Sequence, residues 1–231
     1  MKNHRGSILF LTPVILLVEA TNVSAQVHTS VGVRVGVNTA NASYTSTMSG
    51  VSKSARTGLV LGSIVEIGFS DIVFLRAEPM YTQNGAMIDI ADRNESVKET
   101  YKLEYLEIPV HVKAQFGVGA LRPYIFAGPN LGILLSAKID EEIPLAFAGA
   151  EYRQSGTRDI KDQTSSTNFG FDFGAGVAYD VTANVSLLVD ARYSVGLTNI
   201  AKSPDPNDQS FHPESWKSRD IKVLAGVLFV L

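Results

Sequence analysis

Along most of this chain apolar residues return at every second position, the spacing of a β-strand with two unlike faces. The stretch EYLEIPVHVKAQFG, residues 104–117, shows the pattern. Leu106, Ile108, Val110, Val112, Ala114 and Phe116 form one line, and Tyr105, Glu107, Pro109, His111, Lys113 and Gln115 form the other. Eight segments carry this period, over 31–38, 58–69, 73–81, 105–116, 124–135, 168–179, 187–197 and 221–231. The links between them alternate in length. Short ones fall at Ser70-Asp71, 117–120 and 182–184, while long polar ones cover 42–56, 84–100, 138–166 and 199–217. Short-long alternation predicts an up-and-down meander whose two ends face different compartments.

The two faces differ in kind. One is almost purely aliphatic and aromatic and carries no charge. The other collects the mid-strand charges, Arg34, Arg76, Lys113, Arg192 and Lys222 against Glu66, Glu78, Glu107, Asp172 and Asp190, five of each sign, with His111 among them. A soluble barrel or sandwich would bury the apolar face and solvate the charged one. Three features predict the opposite. The charged face is rich in glycine, which weakens strands and serves a solvated face poorly but suits a crowded interior. Its charges balance, as a lumen closed to water requires. The chain also ends inside a strand with Phe229 and Leu231 on the apolar side, the form in which such barrels meet the barrel-assembly machinery.

The expected fold is therefore all-β: an eight-stranded antiparallel up-and-down transmembrane β-barrel in the bacterial outer membrane, closed and with a side-chain-filled lumen. Eight strands leave an interior just wide enough for side chains to fill. An even number places both termini on the periplasmic side with the short turns. Arg34, Glu66, Arg76, Glu78, Glu107, His111, Lys113, Asp172, Asp190, Arg192 and Lys222 are expected to form a structural charge network in the lumen, with outer-membrane lipid against the other face.

Composition narrows the field further. The chain has 20 Lys+Arg against 23 Asp+Glu, which argues against nucleic acid as a partner. It has no cysteine, so neither a disulfide framework nor a thiol nucleophile is available. At the N-terminus Lys2, His4 and Arg5 precede the apolar run SILFLTPVILLV, and Val23-Ser24-Ala25 supplies small residues before Gln26. This predicts a signal peptide over 1–25, with a buried N-terminal helix as the alternative, and a single barrel domain over 26–231.

Chemistry-bearing clusters are few. Glu107, His111 and Asp190 have the residue types of a metal or acid–base site, yet they sit on the charged face and belong more naturally to its ion pairs. Ser136, Ser155 and Ser210 near His212 are nucleophile–base candidates by composition only. The segment SPDPNDQSFHPES over 203–215 lacks the ligand order and glycine of a calcium loop. Asn41-Ala42-Ser43 and Asn94-Glu95-Ser96 match the glycosylation triplet by chance alone. No phosphate-cradling GxxxxGK[ST] loop is present. Neither catalysis nor a cofactor or metal is expected.

Taken together, YLEIPVHVKAQFG with the following RPYIFAGPNLGILL, and also RAEPMYTQNGA, DFGAGVAYDV and ARYSVGLTNI, resemble the PorT-type outer-membrane β-barrel proteins of Bacteroidota-like bacteria, over 31–231. Those barrels usually end in phenylalanine, whereas this chain ends in Leu231. The resemblance implies a barrel; its eponymous member serves a protein-export system, and no motif transfers a catalytic or ligand-binding residue. The expected role is structural or interaction-based: a membrane anchor presenting the loops 42–56, 84–100, 138–166 and 199–217, or an accessory subunit of an envelope or secretion complex. The alternatives are a narrow channel for small solutes, a lipid-modifying enzyme at the rim, and, were the faces reversed, a soluble lipocalin-like binder.

Overall fold

The computed structural model describes residues 28–43, 51–92, 95–147, 150–201 and 217–231. The expected signal peptide lies outside them, as do most of the 199–217 link, Ser210 and His212. Ten strands form one antiparallel sheet: β1 (His28–Ser43), β2 (Val51–Gly68), β3 (Val73–Ala77), β4 (Met80–Asp92), β5 (Glu95–Gln115), β6 (Leu121–Phe147), β7 (Ala150–Asp159), β8 (Thr167–Thr182), β9 (Val185–Gly196) and β10 (Lys217–Val230). β1 pairs with β10 from Ser30↔Val230 to Ser43↔Lys217, and that pairing closes the sheet on itself.

The ring has eight staves. β3 and β4 share one, because both lie between β2 and β5. Pro79 interrupts that stave, having no N–H to donate. The gap is bridged by Ser63 N–H donating to the Pro79 carbonyl at 3.0 Å and Glu78 N–H to the Pro109 carbonyl at 3.1 Å. β7 stands outside the ring and pairs with β6 alone among the described strands. With β7 set aside, successive staves of the ring are neighbours in space, as an up-and-down barrel requires.

The faces are inverted relative to a soluble protein. Val33, Leu61, Val112 and Val189 point outward and are more than half exposed, whereas Arg34, Arg76, His111 and Lys222 point inward and are buried. Glycine makes room inside. Tyr124 and Phe126 of β6 pair with Gly176 and Gly174 of β8. A Cβ at Gly176 would lie 2.7 Å from Tyr124 Cζ, and one at Gly174 2.6 Å from Phe126 Cζ. Each ring thus covers a glycine on the next strand and holds the register of that pair.

The short turns fall at the expected places. Ser70 Oγ accepts the Ile72 and Val73 amides in the β2–β3 turn, and Gly117 and Gly119 take positive φ between β5 and β6. Two of the expected long loops are corrected. Residues 84–92 and 95–100 belong to the paired ends of β4 and β5, with Asp92 opposite Glu95. Residues 138–147 and 150–159 are paired strands of β6 and β7, with Phe147 opposite Ala150, and among the described residues of this link only 160–166 is irregular apart from a short 3₁₀ turn. For β6 the cause is a bulge. Glu104 pairs with Ser136 but Tyr105 pairs with Leu134, so Leu135 is an extra residue on β6. Beyond it the inward set changes from even to odd positions, Ala137 and Ile139, and a strict period of two reads that shift as the end of the strand.

The interior is layered. Toward the short-turn end Ile64, Tyr124, Phe126, Ala178, Leu188 and Leu228 form an apolar layer. Toward the other end Ala86, Ile88, Tyr101, Leu103, Tyr105, Leu134, Ala137 and Ile139 form a second, completed by Ile160 and Ile200 from the irregular segments. Those segments are tied down by Ile160 N–H to the Ala137 carbonyl, Ser165 N–H to the Ile200 carbonyl and a Thr164↔Ala201 bridge. The charged groups fill the space between the two and reach into the first, where Lys113 pairs with Phe126 across β5 and β6 and Glu66 lies beyond Ile64 on β2.

Candidate functional site

Inward positions from seven of the eight staves build the charged layer. Its centre is Glu78, delivered to the lumen at the Pro79 interruption. Its carboxylate sits 2.5 Å from Arg34 Nη1, 2.6 Å from Arg192 Nη1 and 3.5 Å from Arg76 Nη1. Asp190 closes the group by pairing with Arg34 and with Arg192 Nη2, the latter at 3.2 Å. Tyr124 donates its hydroxyl proton to Asp190 at 2.7 Å.

One step toward the short turns, Glu66 bridges Arg76 Nε at 2.6 Å and Lys113 Nζ at 2.7 Å. The cations also rest on rings: Lys113 Nζ lies 4.4 Å from the Phe74 centroid, Arg76 5.0 Å from Tyr124 and Arg192 5.0 Å from Phe126. One step the other way, Lys222 donates to Glu107 at 2.8 Å and to Ser194 Oγ at 3.2 Å. Asn84 and Asn130 donate side-chain N–H groups to the same Glu107 carboxylate at 3.3 and 3.2 Å. His111 Nε2 lies 3.4 Å from Asp172, and its Nδ1 lies 4.0 Å from Glu78. These residues are buried without exception, and multiple partners per charge are what make such burial tolerable.

All eleven charge-network candidates point into this one layer. The three with the residue types of a metal or acid–base site do not converge. Glu107 goes to Lys222, Asp190 to the arginines, and His111 to Asp172. Among the described residues no three His, Cys, Asp or Glu side chains gather to hold a metal ion. Of the rim serines, Ser136 is half-buried and Ser155 exposed on β7.

The sequence reading passed over several members. Asp220 is buried, accepts the Ser218 hydroxyl at 2.6 Å, and stands on the Lys222 face of β10. Starting that strand at Ile221 hid it, although the i, i+2 spacing from Lys222 was available. Asn38, Asn84, Asn130 and Tyr124 have no charge to draw attention, and only their burial identifies them. Between the charged layer and the apolar cap lies a polar cavity with about 20 Å³ of water-sized space.

Beyond the barrel, β6 and its neighbours carry a second, exposed polar surface. Lys102 pairs with Asp140, and Arg158 Nη2 lies 3.1 Å from Glu141. Hydrogen bonds from Lys102 and from Thr157, the latter at 2.9 Å, hold the Asp140 carboxyl below the usual carboxylate range.

Comparison with known proteins places this geometry in context. A family model described as the outer membrane protein beta-barrel domain matches residues 24–202. No curated protein sequence matches significantly. Among solved structures the chain is similar to Neisserial surface protein A, at 17% identity and a TM-score of 0.44, covering 86% of this chain and 96% of that one. It is similar to OprG from Pseudomonas aeruginosa at 13% identity and 0.46, covering 87% and 95%. Ail, the attachment invasion locus protein of Yersinia pestis, follows at 14% and 0.39, covering 87% and 98%.

Proposed function

Because the chain belongs to the outer membrane protein β-barrel domain family, we propose that it is a sealed outer-membrane anchor that holds a β-sheet platform beyond the bilayer as a docking surface for an envelope complex. The observation that carries this reading is strand length. A tilted strand crosses a bilayer in about 9–11 residues. β5 has 21 residues and β6 has 27. The surplus is paired sheet, from Val51–Ala55 of β2 through the β4–β5 hairpin to β7. A paired platform keeps a fixed shape, so a partner binding it spends little on ordering.

The lumen supports an anchor over a channel, because buried ion pairs and apolar side chains fill it beneath an apolar cap. With the termini in the periplasm, the platform faces outward and the short turns inward. Outer-membrane lipid covers the belt of Val33, Leu61 and Val189. Phe229 and Leu231 are both exposed on the same side as that belt. A role as accessory subunit of a PorT-type export complex is the specific form of this proposal.

Photo-crosslinkers placed at Glu141 and Arg158 in intact envelopes test it. A discrete crosslinked partner, absent when the crosslinker sits at Val189, is expected. Crosslinks to lipopolysaccharide alone, or steady single-channel conductance of the purified barrel, would overturn it.

A further inference from the structure

The cavity above the charged layer is lined by Tyr105, Asn130, Asp172, Ser194, Ser218 and Asp220, with Glu107 at its floor. Its water-sized space of about 20 Å³ holds one water molecule or one dehydrated ion of similar size. Three of its walls carry buried oxygens with no protein partner: Asp220 Oδ1, Asn130 Oδ1 and Tyr105 Oη. Their orientation is imposed. Ser218 occupies Asp220 Oδ2, and Asn130 spends its N–H groups on Glu107 and Asp172, which turns its amide oxygen away from them.

The charge count shows what this layer lacks. The buried acids are Glu66, Glu78, Glu107, Asp172, Asp190 and Asp220; the buried bases among the described residues are Arg34, Arg76, Lys113, Arg192 and Lys222. The sixth acid has no base of its own. Lys222 is already bonded to Glu107 and Ser194. His111 faces Asp172 and Glu78 and makes no ion pair with Asp220. A buried carboxylate without a counter-charge is costly enough to need either a proton or a cation.

We propose that the cavity is a binding site for a small monovalent cation of the sodium class, held by Asp220 Oδ1, Asn130 Oδ1 and Tyr105 Oη. Hard cations take oxygen ligands, and all three are oxygens. The charge of the set selects the valence. Glu107 accepts from Lys222, and Asp172 lies against His111 and accepts from Asn130, which leaves Asp220 as the carboxylate with an unpartnered oxygen beside neutral ones, and no cage of three acidic or imidazole groups suited to a divalent ion forms among the described residues. The ion supplies the positive charge that Asp220 lacks and locks β5, β6 and β10 together beneath the apolar cap.

Thermal unfolding of the intact barrel in lipid is to be followed in sodium chloride and in N-methylglucamine chloride at equal ionic strength. The expected result is a saturable rise in melting temperature with sodium, lost in Asp220→Asn and shifted to several-fold higher sodium in Tyr105→Phe. Crystals soaked in thallium(I) should show anomalous density between Asp220 and Asn130. If Asp220→Asn fails to fold, Tyr105→Phe and the thallium soak decide alone. Equal melting in the two salts with only water density would mean that Asp220 is protonated, and would overturn the proposal. A rise with calcium but not sodium would overturn the valence.

Discussion

The charged layer and the apolar cap both line the inside of one barrel, yet they are held in different ways. In the charged layer each group depends on residues far away in sequence. Glu78 answers to Arg34 and Arg192, and Arg34 answers in turn to Asp190. In the cap most members sit on adjacent strands β4, β5 and β6, and Ile160 and Ile200 are added from above. Loss of one ion leaves its partners buried and unpaired, a cost set by desolvation. Loss of one aliphatic side chain leaves a hole, a cost set by how far the neighbours relax. The charged layer is therefore the less forgiving of the two.

The sharpest way to break that contrast is Glu78→Gln. It removes the shared partner of Arg34 and Arg192, and a loss of about 3–5 kcal/mol is expected from urea unfolding of the barrel in lipid. A loss below 1 kcal/mol would show that the arginines re-pair, and the layers would no longer differ. Ile200→Ala tests the other side, with about 2–4 kcal/mol expected. Heat-modifiable gel migration should still show a folded barrel, and disappearance of that band would make the cap part of the folding core.

Glu107→Gln should cost less than Glu78→Gln, about 1–3 kcal/mol by the same unfolding measurement. Asn84 and Asn130 stay beside Lys222's partner, and the adjoining cavity admits water. An effect equal to that of Glu78→Gln would mean that the network is uniform and not centred on Glu78. Smallest of all is Lys102→Ala. Its pair with Asp140 is substantially exposed, and a change within about 0.5 kcal/mol is expected. A larger loss would make the projecting sheet part of the barrel's stability instead of a surface available to partners.

Much of the barrel was legible because a membrane barrel writes its topology into a period of two. Alternation at Val31–Val37, at 104–117 and at 221–231 located staves, and the charges opposite them identified the lumen. Legibility failed where the period slipped. The bulge at Leu135 hid the continuation of β6 into the platform, and the single segment over 73–81 ran through Pro79 and hid the split of that stave into β3 and β4. Uncharged lumen groups failed for another reason. Asn130 and Tyr124 look like ordinary strand residues until burial forces each polar atom to find a partner.

The sequence by itself determined the fold class, the inverted faces and the set of charges that would have to share one interior, because alternation and charge balance are local or additive properties. Only the tertiary structure decided which charge meets which, that Glu78 is the hub, and that Asp220 is left over. Pairing depends on closure of the ring, which brings Arg34 beside Asp190 across 156 residues. No spacing along the chain encodes that distance.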